Sequence, residues 1–263
     1  MILDRFQLTD RVAIVTAAGR GIGAGIAQAF AEAGADVVIG SRTESQLQEV
    51  ADAVARTGRR AVVVPGDVSE REGMQLLVDR AVEEFGRIDI VVNNAGGSMP
   101  GPFLGTTEEA FNEALRWNVT TAFNLTQLAT PHLLKSDGGS VINIASAVGR
   151  LAERGFVAYG TAKAAMIHLT RNLAADLAPK IRVNAIAPGA IATSALDIVL
   201  QNEAITKEMV KRTPLGRLGV VEDIAAGALY LASPASSYVS GRILDIDGGI
   251  QTANLELGLP DLE

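Results

Sequence analysis

The sequence predicts a doubly wound α/β domain, with about seven parallel strands and helices on both faces. Three observations predict it. Short β-branched runs alternate with longer helical patterns along the chain. A glycine-rich turn joins the first run to the first helix. The residues that break both patterns fall at the ends of the runs, where an open parallel sheet binds its ligands. No linker intervenes, so residues 1–263 read as one domain.

The elements follow in order. Residues 11–16 form a β-branched run, as in a buried parallel strand. The run opens into Ala17-Ala18-Gly19-Arg20-Gly21-Ile22-Gly23, then a helix through Ala33 with Gly34 as its stop. A second strand covers 36–39. Thr43 with Gln46 reads as a capping box for a helix ending near Gly58. The third strand is 61–64, and Ser69 with Glu72 repeats the capping signal for a helix ending near Gly86. The fourth strand, 88–92, runs into Asn93-Asn94-Ala95-Gly96. A long helix starts around Thr107, carries Trp117 and Asn118, and is interrupted by Pro131 near its end. Strands at 140–144, 181–186 and 242–246 and helices at 156–177 and 222–232 complete the pattern. Residues 191–212 are mixed and partly helical. The tail, 251–263, has no assignment.

Composition excludes several functions. A net charge of -7 argues against binding nucleic acid or an anionic membrane. The chain has no Cys and only His132 and His168, so disulfides, thiolate chemistry and a His-based metal site are not expected. No apolar run reaches membrane-spanning length, and the first residues lack a secretory signal. The expectation is a soluble cytoplasmic protein.

Tyr159 and Lys163 are four residues apart in a helical stretch, so one face carries both. A free Tyr loses its proton near pH ~10. A neighbouring ammonium favours the phenolate, and Lys163 is expected to lower the Tyr159 pKa. Such a Tyr can exchange a proton with a substrate oxygen near neutral pH.

Gly19, Gly21 and Gly23 let the backbone turn tightly and approach a pyrophosphate at a helix N-terminus. After the second strand, an acidic residue would bond a free ribose hydroxyl. This chain has Gly40-Ser41-Arg42 instead, with Arg20 nearby. A guanidinium grips a 2′-phosphate, so NADP(H) is expected over NAD(H), which stays possible. Asp67, before Val68, has two readings of equal weight: acceptor for an adenine amino group, or part of the turn into the next helix. The small residues of Asn93-Asn94-Ala95-Gly96 let adenosine pass close to the backbone.

Taken together, Thr16-x-x-Gly19-x-Gly21-Ile22-Gly23, Asp67, Asn93-Asn94-Ala95-Gly96, Asn118, Ser146, Tyr159-x-x-x-Lys163, Pro188-Gly189 and Asp247-Gly248-Gly249 resemble the short-chain dehydrogenase/reductase family in its single-domain Rossmann form. The resemblance runs from about Arg11 to Gly249. Ala17 departs from it, standing where the family usually has Gly. The texture is closest to bacterial hydroxysteroid dehydrogenases and 3-oxoacyl-carrier-protein reductases.

The resemblance implies a tetrad of Asn118, Ser146, Tyr159 and Lys163. Tyr159 is the acid or base. Lys163 tunes it and bonds the nicotinamide ribose. Ser146 donates to the substrate oxygen. Asn118 breaks its helix and holds a water that relays protons to Lys163. The cofactor set is Gly19, Arg20, Gly21, Ile22, Gly23, Ser41, Arg42, Asp67, Val68, Asn93, Ala95, Gly96, Tyr159, Lys163, Pro188, Gly189, Ile191 and Thr193. Loops 97–103, 147–155 and 190–213 are expected to wall the substrate, the last as a lid. They bring Met99, Phe103, Val148, Leu151, Leu196, Ile198 and Val199. Such residues suit a lipophilic ketone or secondary alcohol, or they pack the loops. Arg150 and Arg154 leave room for an anionic substrate end. A homotetramer is implied, with Ala162, Ala165 and Ala174 suited to close helix packing. The alternative is a non-catalytic dinucleotide-binding sensor or structural protein on the same fold.

Overall fold

Successive residues of the first strand point to opposite faces, and each face meets its own layer of helices. The computed structural model describes residues 1–194, 196, 201–255, 257–259 and 261. The expected lining residues Ile198 and Val199 lie outside them. The order is β1 (Val12–Thr16), α1 (Gly21–Glu32), β2 (Asp36–Ser41), α2 (Glu44–Ala55), β3 (Ala61–Pro65), α3 (Arg71–Phe85), β4 (Ile90–Asn93), α4 (Glu108–Leu115), α5 (Thr121–Leu133), β5 (Gly139–Ile144), α6 (Val157–Leu177), β6 (Ile181–Pro188), α7 (Glu203–Lys211), α8 (Val221–Ala232) and β7 (Ile243–Ile246).

All seven strands are parallel, ordered β3-β2-β1-β4-β5-β6-β7. The order reverses between β1 and β4, which opens a crevice at their carboxyl ends. On one face Ala13, Val15, Val37 and Ile39 pack with Phe30 of α1, Leu47 of α2 and Ile224 of α8. On the other, Val12, Ile14 and Val38 pack with Leu77 of α3, Leu125 of α5 and Ala174 of α6.

The strand ends differ in chemistry. At the amino edge, buried Asp89 takes Arg11 and Arg87 at 2.9 and 2.7 Å and accepts the Val12 N–H. Asp36 takes Arg59 at 3.0 Å. Asp89 holds the chain before β4 through side-chain bonds, and the strand begins at Ile90, later than the expected 88.

The expected capping boxes do not form. Thr43 is the N-cap of α2 but makes no side-chain cap bond. The N-cap of α3 is Glu70, so Ser69 stands outside the helix. Its N–H instead donates to Asp67 Oδ1 at 2.9 Å, a tight local turn. The expected stops hold, with Gly86 left-handed at φ 74 after α3. Among the described residues, no helix is long and apolar enough to cross a membrane.

Candidate active site

The crevice is built first from the β1–α1 turn. Ala17 adopts φ 50, a left-handed conformation that a Cβ disfavours. Gly23 is needed for contact, because a Cβ there would stand 2.6 Å from both Ala17 O and Asn94 Nδ2. Asn94 Nδ2 donates to Thr16 O at 3.0 Å and Ala17 O at 3.2 Å, and Thr16 Oγ1 accepts the Asn94 and Ala95 N–H groups at 3.0 Å. The turn is thus clamped to the end of β4. Neither Thr16 nor Asn94 had been assigned a role of its own, although both lie in the recognised motifs.

Gly19 faces Ser41, where a Cβ would come within 2.7 Å of Oγ. That hydroxyl is buried and has no hydrogen-bond partner among the described residues. A bare-backbone cradle beside an unsatisfied buried hydroxyl fits a dinucleotide laid across the helix N-terminus. Arg20 and Arg42 are exposed at its mouth. Ile22 packs partly buried behind the turn, and Val68 is buried beneath β2. Asp67 stays exposed. Its hydrogen bonds with the Ser69 backbone and hydroxyl hold its carboxyl below the usual range and form the expected turn, and the exposed carboxylate still faces outward as an acceptor.

Asn93 offers the crevice its backbone alone. Its side chain does not face the crevice. Nδ2 donates to Thr126 Oγ1 at 3.1 Å and Asn143 Oδ1 at 2.8 Å, and Asn143 donates on to Thr170 at 2.9 Å. As the last residue of β4, it points into the α5 and α6 layer. Ala95 and Gly96 follow it at the strand end.

Asn118 lies in a π-turn, Arg116–Thr120, that separates α4 from α5 and realises the expected break in the long helix. Its Oδ1 accepts the Gly97 N–H at 2.9 Å, and its Nδ2 donates to Gly97 O and Ala114 O at 2.9 and 2.8 Å. A Cβ on Gly96 would stand 2.6 Å from Asn118 Oδ1 and 3.0 Å from Lys163 Nζ. Only glycine lets these two approach the strand end so closely.

Lys163 is 3% exposed, and its Nζ donates to Ile144 O at 2.8 Å. The Nζ stands 5.5 Å from the Tyr159 ring centroid. Ser146 lies just after β5, accepts the Val148 N–H at 3.4 Å and reaches the Tyr159 hydroxyl. All four residues therefore converge beyond β4 and β5. Burial pushes the Lys163 amine from 10.5 down to about 7. Burial also raises the Tyr159 phenol, opposed by its hydrogen bond with Ser146. The expected lowering by Lys163 is not found: burial outweighs the hydrogen bond with Ser146, the one opposing influence on the phenol.

On the far side, Pro188 ends β6 opposite Ile246, and Gly189 approaches Asp247 where a Cβ would stand 2.8 Å from its Cα. Ile191 is buried and bridges to Gly219. The Thr193 methyl faces Gly21, 3.6 Å from where a Cβ would be. A cleft of about 340 Å³ runs between Gly189, Ile191, Thr213, Leu215, Arg217 and Asp247 and touches none of the tetrad.

Met99 and Phe103 stand out at the rim, 80% and 67% exposed, while Val148, Leu151 and Leu196 are partly buried. Arg150 and Arg154 are not open to an anion as expected. Arg150 binds Asp247 at 2.7 Å and Arg154 binds Asp261 at 2.9 Å. Ala162 and Ala174, expected on an outer packing face, are buried in the chain's own layers, where α6 is held against the sheet.

A family model described as enoyl-(acyl carrier protein) reductase matches residues 16–251. The chain belongs to the short-chain dehydrogenase/reductase family. It is 54% identical over 263 residues to an uncharacterized oxidoreductase of Mycobacterium tuberculosis, covering 100% of both chains. A solved 7α-hydroxysteroid dehydrogenase in complex with NADH and 7-oxoglycochenodeoxycholic acid superposes with a TM-score of 0.92 at 41% identity, covering 96% of this chain and 98% of that one. A gluconate 5-dehydrogenase from Burkholderia cenocepacia, with NADP and tartrate, gives 0.89 at 35% identity, covering 96% and 100%. The chain is therefore an oxidoreductase of this family, and its structural neighbours bind NADH or NADP.

Proposed function

We propose that the chain transfers a hydride between NADP(H) and a lipophilic ketone or secondary alcohol. The observation that carries this is the convergence of Asn118, Ser146, Tyr159 and Lys163 beside the glycine cradle. The nicotinamide supplies or takes the hydride. Tyr159 gives its proton to the carbonyl oxygen in reduction and takes one from the alcohol in oxidation. A phenol raised by burial keeps its proton at neutral pH, which suits the acid role. The base role draws on Lys163, whose ammonium form favours the phenolate; the two titrations are coupled. Ser146 donates to the substrate oxygen and orients it.

Asn118 holds Gly97 in place just beyond the end of β4. Both its amide hydrogens are bound to carbonyls, so a water relaying protons to Lys163 would be held by the oxygens of Asn118 and not by its amide N–H groups. Gly19, Gly21, Gly23, Ala95 and Gly96 give close backbone approach. Thr193 bonds the carboxamide, and the backbone near Ile191 fixes the ring face. The preference for NADP(H) rests on Arg20 and Arg42 at the mouth of the cradle and on the absence of an acidic residue after β2. The steroid complex of a neighbour and the acyl-carrier description of the family point to a hydroxysteroid-like or 3-oxoacyl substrate. Exposed Phe123 on α5 adds to the expectation of a homotetramer packed through α4, α5 and α6. Sedimentation tests that.

Tyr159→Phe removes the proton donor and is expected to lower turnover by at least ~10²–10⁴-fold while dinucleotide binding survives. Near-normal turnover would rule out the assignment. Dissociation constants measured for NADPH and NADH test the cofactor reading. Tighter NADH binding would overturn it.

A further inference from the structure

Beyond the family match, residues 254, 255, 257, 259 and 261 touch two of the three loops that flank the crevice, 147–155 and 190–213. Buried Asn254 donates to Thr213 Oγ1 at 3.2 Å. The Leu255 N–H donates to Glu153 Oε1 at 3.1 Å, and Asp261 pairs with Arg154 at 2.9 Å. Between these anchors, Leu257 and Leu259 lie over Gly155. A Cβ on Gly155 would stand 3.3 Å from Leu257 Cδ1 and 2.8 Å from Leu259 Cδ1.

Gly155 also accepts the Gly101 N–H at 2.8 Å, which joins loop 97–103 to loop 147–155. It directly precedes Phe156, whose ring centroid is 6.2 Å from that of Tyr159. The seam between the two loops is thus made of two glycines that offer no side chain. The leucines supply the apolar surface there, about one helical turn from the proton donor.

We propose that the C-terminal segment is a wall of the substrate crevice, and that Leu257 and Leu259 set the size of substrate admitted. This rests on the lipophilic ketone or alcohol reading above. The exposed Arg154–Asp261 pair contributes little to holding the segment. Leucine contact with the seam and the buried Asn254 anchor hold it. A bulky apolar substrate presses on this wall, whereas a small one does not reach it.

The test compares a single-ring secondary alcohol with a multi-ring hydroxysteroid, read by dinucleotide absorbance. It uses the unaltered chain, the double variant Leu257→Ala/Leu259→Ala, and a chain ending at Leu255. The expected result is a change of at least tenfold in the ratio of the two kcat/KM values in both variants. The dinucleotide dissociation constant is expected to stay within twofold. A ratio unchanged in both variants overturns the proposal, whether or not the two activities fall together. A tenfold loss of dinucleotide affinity also overturns it, placing the segment on the cofactor side. Turnover of neither substrate by the unaltered chain sinks the lipophilic-alcohol reading, and this inference with it.

Discussion

Replacing Lys163 by Met separates stability from chemistry. Burial has moved the amine from 10.5 to about 7. At ~1.4 kcal/mol for each tenfold, that displacement sets roughly 4 kcal/mol against the fold at pH 7. Met fills a similar volume without a charge. It also leaves Ile144 O without the donor now 2.8 Å away, and an unpaired buried carbonyl costs about 1–3 kcal/mol. The net expectation is a variant more stable by about 1–3 kcal/mol at pH 7, or roughly 3–9 °C in Tm for a chain of this size. The sign with pH follows from the two pKa values. Between about 7 and 10.5 the unfolded amine holds a proton that the folded one has released, so the parent gains stability as pH rises. The advantage of Lys163→Met should shrink by about 2 kcal/mol from pH 7 to 9. Urea melts of both proteins at pH 6, 7, 8 and 9, without added dinucleotide, measure it. A gap that is flat in pH, or a variant less stable than the parent at pH 7, refutes the reasoning. Turnover should be lost throughout.

Ala17→Gly removes a left-handed strain of roughly 1–2 kcal/mol, partly offset by ~0.4–1 kcal/mol of added freedom in the unfolded chain. Its Tm should rise slightly, and a fall would count against strain at φ 50. Asp89→Ala leaves Arg11 and Arg87 without their buried carboxylate and should cost about 3–5 kcal/mol in denaturant melts, with kcat in the surviving folded fraction unchanged. Arg42→Ala should weaken NADPH about tenfold, or ~1.4 kcal/mol, and leave NADH unaffected in a binding titration. Equal loss for both would place Arg42 away from the 2′-phosphate.

The parallel sheet and the Tyr159–Lys163 pair were legible because each is carried by a pattern that survives without coordinates, whereas Ser146 and Asn118 were expected through the family resemblance alone. Strand runs have a period, Tyr159 and Lys163 share a helix face, and glycines mark close approach. What the sequence hid depends on where the chain turns. Asn93 and Asn94 are chemically identical neighbours, yet one points into a helix layer and the other grips the β1 turn. Pleating separates them, and it depends on the residue at which β4 ends. The Ser69 capping signal failed for the same reason: its helix starts two residues later, at Arg71. Adjacency on a helix placed an amine beside a phenol, but the enclosure that decides both pKa directions comes from loops distant in sequence. Arg150 and Arg154 were read as open because their carboxylate partners, Asp247 and Asp261, lie about a hundred residues away.

The thread of amides and hydroxyls from Thr126 through Asn93 and Asn143 to Thr170 works as a keyway. It locks α5 and α6 to the middle strands by matched donors and acceptors rather than by shape alone. A slip of either helix by one turn would strand an amide in a dry interior, so neither can creep as apolar neighbours are exchanged. The spacing between Asn118, just ahead of α5, and Tyr159, near the start of α6, is thereby insulated from repacking. Rim loops are then free to diversify toward new substrates without realigning the groups that move the proton.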